Sequence, residues 1–170
     1  QLAQRLEALN TERREIEAAV REAALAQVEA RGGTALAWAA EDGWHPGVVG
    51  IVASRLKEAT HRPAIVIGFE DGIGKGSGRS VSGVDLGAAV QRLAAEGLLL
   101  KGGGHKMAAG LTVERAKLEP AMARLADLLA RQGAGDGGPG DLRIDSLLVP
   151  GAVTPELIEQ IEAAGPFGAS

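Results

Sequence analysis

The sequence predicts an α/β fold: a mixed β-sheet flanked by helices, preceded by a long N-terminal connector helix. Two observations carry this. Residues 1 to 31 hold a seam at three- and four-residue steps that is apolar except at Arg13. From Thr34 onward, short apolar runs alternate with helix-period segments, the order expected when strands and helices share one sheet.

The first segment places Leu2, Leu6, Leu9, Arg13, Ile16, Val20, Ala24 and Val28 on one narrow seam, until Gly32-Gly33 stops it. At 1.5 Å per residue it spans about 45 Å, more than a domain of this size needs for its own core. It reads either as a coiled-coil arm or as a connector to another domain. Thr34 to Ala39 is a predicted strand, Val48 to Ala59 a helix, Ala64 to Phe69 a buried strand and Ile73 to Val81 a second extended run. Asp85 to Ala95 is a helix with Leu86, Ala89, Val90 and Leu93 on one face. Leu98 to Leu100 and Met107 to Val113 are predicted strands flanking three glycines, and Glu114 to Arg131 is a helix with Pro120 near its start. Gly133 to Gly140 has the composition of a flexible linker. Leu142 to Val153 then has strand character, and a helix starts with Thr154 as N-cap and Pro155 at its first position. The predicted organisation is a helix over 1–33, a domain over 34–132, a linker over 133–140 and the truncated start of a further domain over 141–170.

Composition narrows the function. The 170 residues include two Trp, two Phe and no Tyr, so the core is built from small aliphatic side chains. Without cysteine there are no disulfides and no thiol-ligated metals, and a cytoplasmic setting fits. No apolar stretch reaches the roughly 18 residues that a membrane span needs, and the charged N-terminus is unlike a signal peptide. A net charge of −4 argues against bulk electrostatic capture of nucleic acid, so such binding has to be local.

Three glycine-rich islands supply local candidates. In GWHPGVVGIVASRL, Trp44-His45 stands just ahead of a helix start. His45 either donates to an anion at that N-terminus or caps a loop while Trp44 packs under the sheet. In DGIGKGSGRS, glycines at 72, 74, 76 and 78 fall on one face of an extended chain, with Ile73, Lys75, Ser77 and Arg79 on the other. Cations and a hydroxyl in one row suit phosphate oxygens; a solvated hairpin is the alternative. In KGGGHKMAAG, Gly102, Gly103 and Gly104 aim backbone N–H groups into an anion-binding nest with His105 at its edge, or else form a tight turn. Trp44 is the one aromatic side chain offered as a stacking candidate, since Trp38 and Phe69 sit in strand patterns. Walker A, HExxH, nucleophile-elbow and metal-ligand spacings are absent, so no residue is assigned to a metal. Asp71 and Asp85 read as turn and helix-start residues, and His61 as a loop residue. These islands make a phosphate-holding surface with no evident bond-cleaving group.

In this order, WHPGVVGIVASRL, GKGSGRS, DLGAAV and KGGGHKMAAGLTV resemble the DHH-associated domain of the RecJ exonuclease family, within the DHH phosphoesterase superfamily, over about Thr34 to Arg131. LNTERREIE resembles the long helix that joins that domain to a catalytic DHH domain. LRIDSLL through AAGPFG resembles the start of an oligonucleotide-binding domain.

The resemblance implies the substrate-binding part of a single-strand-specific 5′-to-3′ DNA exonuclease acting in DNA repair and recombination. It implies manganese or magnesium held by a DHH domain; no Asp-His-His occurs in this chain. Gly102 to Gly104 and His105 would contact phosphates near the cleaved bond, with His105 as a charge stabiliser. Ser77 and Arg79 would hold a 5′-terminal phosphate or the backbone, and Trp44 and His45 would line the same groove. The implied partners are single-stranded DNA, the DHH domain of the same polypeptide, and a single-strand-binding protein or helicase. The chain alone is expected to be inactive. Two alternatives stand beside this: a nanoRNA or cyclic-dinucleotide phosphodiesterase, and a non-catalytic nucleic-acid-binding or oligomerisation module.

Overall fold

The computed structural model describes residues 2–135, 149–163 and 165. The chain divides into two units, Gln1–Pro139 and Gly140–Ser170. In the first unit, strand β2 (Ala64–Glu70) is buried at every residue but its last, because helices cover both of its faces. Strand β1 (Ala37–Asp42) lies parallel to it, and the crossover between them is helix α2 (Pro46–Thr60). Strand β3 (Ile73–Arg79) returns antiparallel through a turn at Asp71-Gly72, with φ of 50° and 78°. Positive φ at both turn residues is what a two-residue hairpin needs to match the right-handed twist of its strands. Strands β4 (Lys101–His105) and β5 (Ala108–Glu114) complete a five-stranded mixed sheet in the order β1-β2-β3-β5-β4.

Helix α1 (Leu2–Arg31) and α2 lie on one side of this sheet. Val20, Ala24 and Val28 meet Val48, Val52 and Leu56 over Ala37, Ala39, Ala64 and Val66. Helices α3 (Leu86–Ala95) and α4 (Leu118–Ala130) lie on the other, where Leu86, Val90, Leu93, Met122 and Leu125 pack over Ile65, Ile67, Phe69, Leu111 and Val113. The predicted apolar face of α3 is the face that is buried, and Asp85 caps the helix by accepting from the Ala88 N–H at 2.9 Å.

Three expectations need correction. β1 begins at Ala37 because Thr34 Oγ1 bonds locally to the Leu36 backbone, at 2.6 Å to its carbonyl, and bends the chain. Leu98–Leu100 is not a strand: the Leu98 N–H closes the end of α3 on Leu93 O at 3.0 Å, and the glycines themselves form β4. The seam of α1 outruns the core, in keeping with its length: Leu9 and Ile16 are 54% and 44% exposed while Val20, Ala24 and Val28 are buried. The side chains of Leu2 and Leu6 lie outside the described residues. In the second unit a 3-10 turn, Pro150–Ala152, stands where strand character is predicted. Helix α5 (Pro155–Ala163) follows, with Thr154 Oγ1 accepting from the Leu157 N–H at 3.3 Å. Residues 136–148, which hold most of the predicted linker and strand, and the Pro-Phe-Gly after Gly165 lie outside the described residues.

The outer edge of β1 is closed by side chains of α1. Gln27 Oε1 accepts from the Ala40 N–H at 3.1 Å and Gln27 Nε2 donates to Ala40 O at 3.2 Å, standing in for a peptide unit of a neighbouring strand. Arg31 donates to Trp38 O at 3.3 Å, with its guanidinium 3.8 Å from the centroid of the Trp38 ring. On the opposite side of the sheet, Glu96 ties α3 to α4. It accepts from Arg124 at 2.9 and 2.8 Å and from Arg92 at 2.8 Å. Those bonds, Arg124 first and Arg92 second, hold the Glu96 carboxyl at about 2 against its ordinary 4.5.

Gln27→Ala leaves an unpaired N–H and C=O on β1, so it lowers stability by about 1 kcal/mol and produces concentration-dependent association in sedimentation velocity. A variant that stays monomeric with unchanged stability contradicts this role. The Glu96 contribution is present above its unfolded value of 4.5 and is lost as pH falls from there towards 2. Glu96→Gln therefore flattens the fall of the thermal midpoint across that acid range.

Candidate phosphate-binding face

Residues opposite one another in antiparallel strands share a side of the sheet. The register thus lays out the α2 side in rows: Arg79, Ala108 and His105; then Ser77, Gly110 and Gly103; then Lys75, Thr112 and Lys101. At about 3.3 Å per residue, the first and third rows are about 13 Å apart. α2 reaches β3 and stops there. A Cβ on Gly50 would stand 3.2 Å from Ser77 Oγ and 3.4 Å from Arg79 Nη2. Beyond it, Gly110, Lys101 and His105 are exposed. Lys75, Lys101, Gly103, Gly110 and Thr112 line an open depression of about 410 Å³ there, and His105 stands outside it in the Arg79 row.

Among the described residues, the cations on this face have no ion-pair partner. Ion pairs among the described residues involve neither Lys75, Lys101 nor Arg79. Arg79 Nη1 donates to Ser77 Oγ at 3.1 Å and to Gly78 O at 2.9 Å, so its guanidinium lies along β3 beside the row of glycines. The result is a set of cations and one imidazole around a floor of bare backbone, suited to anionic oxygens.

The structure separates Gly102, Gly103 and Gly104, which corrects the reading of them as one nest. All three are in the extended chain of β4. A Cβ on Gly102 would stand 2.8 Å from Val90 Cγ1, so this glycine lets α3 approach. Gly104 has φ +154°, and a Cβ there would stand 2.3 Å from Ala108 O. A Cβ on Gly103 would meet nothing within 4 Å, and one on Gly110 only a carbonyl at 3.9 Å. Gly103 thus faces the open side with Lys101 and His105, while Gly102 and Gly104 face away. The β3 glycines also serve the core: Ile67, Phe69 and Leu86 atoms come within 2.8 Å of the Cβ positions of Gly74, Gly76 and Gly78, and Gly72 belongs to the turn. Lys101, Gly110 and Thr112 are not among the residues that the sequence nominates for the site. The period-two rule applied to Lys101–His105, as to β3, separates Lys101, Gly103 and His105 from Gly102 and Gly104.

Trp44 and His45 stand at the Lys75 end of this face. Trp44 is half-buried, and its carbonyl lies where a Cβ on Gly68 would be, 1.9 Å away. His45 Nδ1 accepts from the Gly47 N–H at 3.0 Å, so the ring caps α2 and turns only Nε2 outward. Among the described residues no three His, Asp or Glu side chains converge as metal ligands, so they do not fit a metal ion.

Gly68→Ala drives a methyl into backbone and costs about 3 kcal/mol or more, whereas Gly103→Ala changes stability by less than about 0.5 kcal/mol. Urea denaturation of the two variants checks the contrast.

The DHHA1 domain family matches residues 23–131. The chain is 42% identical over 175 residues to the single-stranded-DNA-specific exonuclease RecJ of Dickeya dadantii, covering 98% of this chain and 30% of that protein. It is 39% identical over 178 residues to RecJ of Escherichia coli, with the same coverage of 98% and 30%. The crystal structure of RecJ in complex with Mn2+ from Thermus thermophilus superposes with a TM-score of 0.76 at 33% identity, over 98% of this chain and 24% of that one. The chain spans about 30% of the length of the curated relatives named here.

Proposed function

The chain belongs to the DHHA1 domain family, and on that premise we propose that it is the substrate-binding part of a RecJ-type exonuclease, gripping single-stranded DNA by its phosphates across the open face of β3, β5 and β4. The observation that carries this is a set of cations with no ion-pair partner among the described residues, Lys75, Lys101 and Arg79, around the bare Ser77–Gly110–Gly103 floor. Contacts to phosphate hold a strand in register without reading its sequence, which suits an enzyme that degrades DNA of any sequence. Arg79 and His105 make the row that takes the phosphate at the cleaved end, a 5′-terminal phosphate included, and offset the charge that builds there. Hydrolysis itself belongs to a metal-binding part of such an enzyme, because the residues described in this chain do not fit a metal ion. α1 is the connector towards that part, which is consistent with the exposure of Leu9 and Ile16 on its first half.

Fluorescence anisotropy with a short 5′-phosphorylated single strand at low salt tests the reading. The wild-type chain binds, and Arg79→Ala and His105→Ala each weaken binding. With about three phosphates neutralised, log affinity falls against log salt with a slope of about −2. Equal binding by all three proteins sinks the proposal. The chain alone, supplied with Mn2+, releases no mononucleotides from the same strand.

A further inference from the structure

We infer that the cavity between the Trp44–Pro46 loop and the β2–β3 hairpin is a nucleobase pocket that favours bases carrying an exocyclic amino group; this rests on the reading of the neighbouring face as a phosphate track. The cavity measures about 390 Å³ and shares Lys75 with the depression on the open face. That size falls in the range of small-molecule sites, about 300–1,000 Å³. Trp44, His45, Glu70, Asp71, Ile73 and Lys75 line it.

The register explains why the chemistry changes at this point. Gly68 pairs with Lys75, and Glu70 pairs with Ile73, so the row after Lys75 on the same side of the sheet carries a carboxylate. Glu70 has no cationic partner among the described residues: the nearby Arg115 engages Asp42, and Lys117 engages Glu114. A phosphate arriving from Lys75 is repelled there, so the phosphate path ends at the Lys75 row. A group that continues into the cavity has to bring N–H donors. The exocyclic amino group of cytosine or adenine does so, and carboxylates accept from the cytosine N4 amino group. Thymine presents a carbonyl at the corresponding position and meets repulsion.

The walls suit a flat, partly apolar ligand. Trp44 packs against the buried cluster beneath α2 while still lining the cavity, and Ile73 is half-buried beside it. An indole held in that way is a stacking surface that does not have to be ordered on binding. One nucleotide can therefore place its base against Trp44 and Glu70 and its phosphate on Lys75.

The test uses Trp38→Phe, which leaves Trp44 as the only indole and removes no lining residue. Deoxycytidine monophosphate, thymidine monophosphate and deoxyribose 5-phosphate are titrated against Trp44 emission. Deoxycytidine monophosphate quenches saturably and binds about fivefold tighter than thymidine monophosphate, the worth of one added hydrogen bond. Deoxyribose 5-phosphate leaves the emission unchanged. In the same background, Glu70→Ala combined with Asp71→Gly, which removes the other carboxylate lining the cavity, brings the two nucleotides to equal affinity, and its melting midpoint verifies that it folds. Trp44→Phe with Trp38 retained gives no quenching. Absence of saturable quenching, or equal affinities before Glu70 is removed, overturns the inference. If oligonucleotides bind through Arg79 and His105 while this titration is silent, the base pocket fails and the phosphate face stands. If the mononucleotides bind as described but oligonucleotides ignore Arg79 and His105, the face fails and the pocket stands.

Discussion

The close seating of α2 on the sheet is the constraint on which both the wall and the floor of the candidate site depend. It is possible because the strand positions beneath it are small: Ala37, Ala39, Ala64, Val66 and Gly68. At Gly68 the Trp44 carbonyl occupies the place of a side chain, and at Gly50 the helix comes down onto Ser77 and Arg79. A helix set this low fixes the guanidinium of Arg79 along β3 and brings His45 and Trp44 to the edge of Lys75. Among the described residues its cover also ends at β3, so β5 and β4 stay open on that side alone. One packing decision thus builds both an enclosed wall and an accessible floor.

The two sides of the sheet divide the labour accordingly. Under α3 and α4, large aliphatic side chains from β2 and β5 lie over the glycines of β3, which have no side chains of their own to compete for the space. That side supplies most of the buried apolar volume. The α2 side keeps a thinner apolar cluster of Val and Ala near β1 and β2 and gives its far half to polar groups. A floor backed by so rigid a core holds its rows at fixed separations, which is what positioning a polyanion demands.

How much of this is legible in the sequence depends on whether the determining contacts are local. Caps are local, and both Asp85 and Thr154 can be read from their own neighbourhoods. The alternation in β3 is local too, and it puts Lys75, Ser77 and Arg79 on one side. What the glycine side meets is not legible, because Ile67 and Phe69 reach it from β2 and Leu86 from α3. β4 escapes a sequence reading for a related reason. Three glycines in a row disfavour a strand by propensity, yet here Gly102 is required by Val90 on α3 and Gly104 by the backbone of β5. Tertiary contacts override the local preference, so the sequence shows the candidate site as residue types and only the fold shows it as a surface.

The closing of the β1 edge by Gln27 and Arg31 bears on how the chain is made. A ribosome delivers α1 before β1, so the side chains that satisfy the edge are already in place when the edge emerges. The alternative order would leave Trp38 and the Ala40 backbone groups waiting, open to the strands of other nascent chains. Vectorial synthesis therefore gives this fold its chaperone in cis: the cover precedes the surface that it protects.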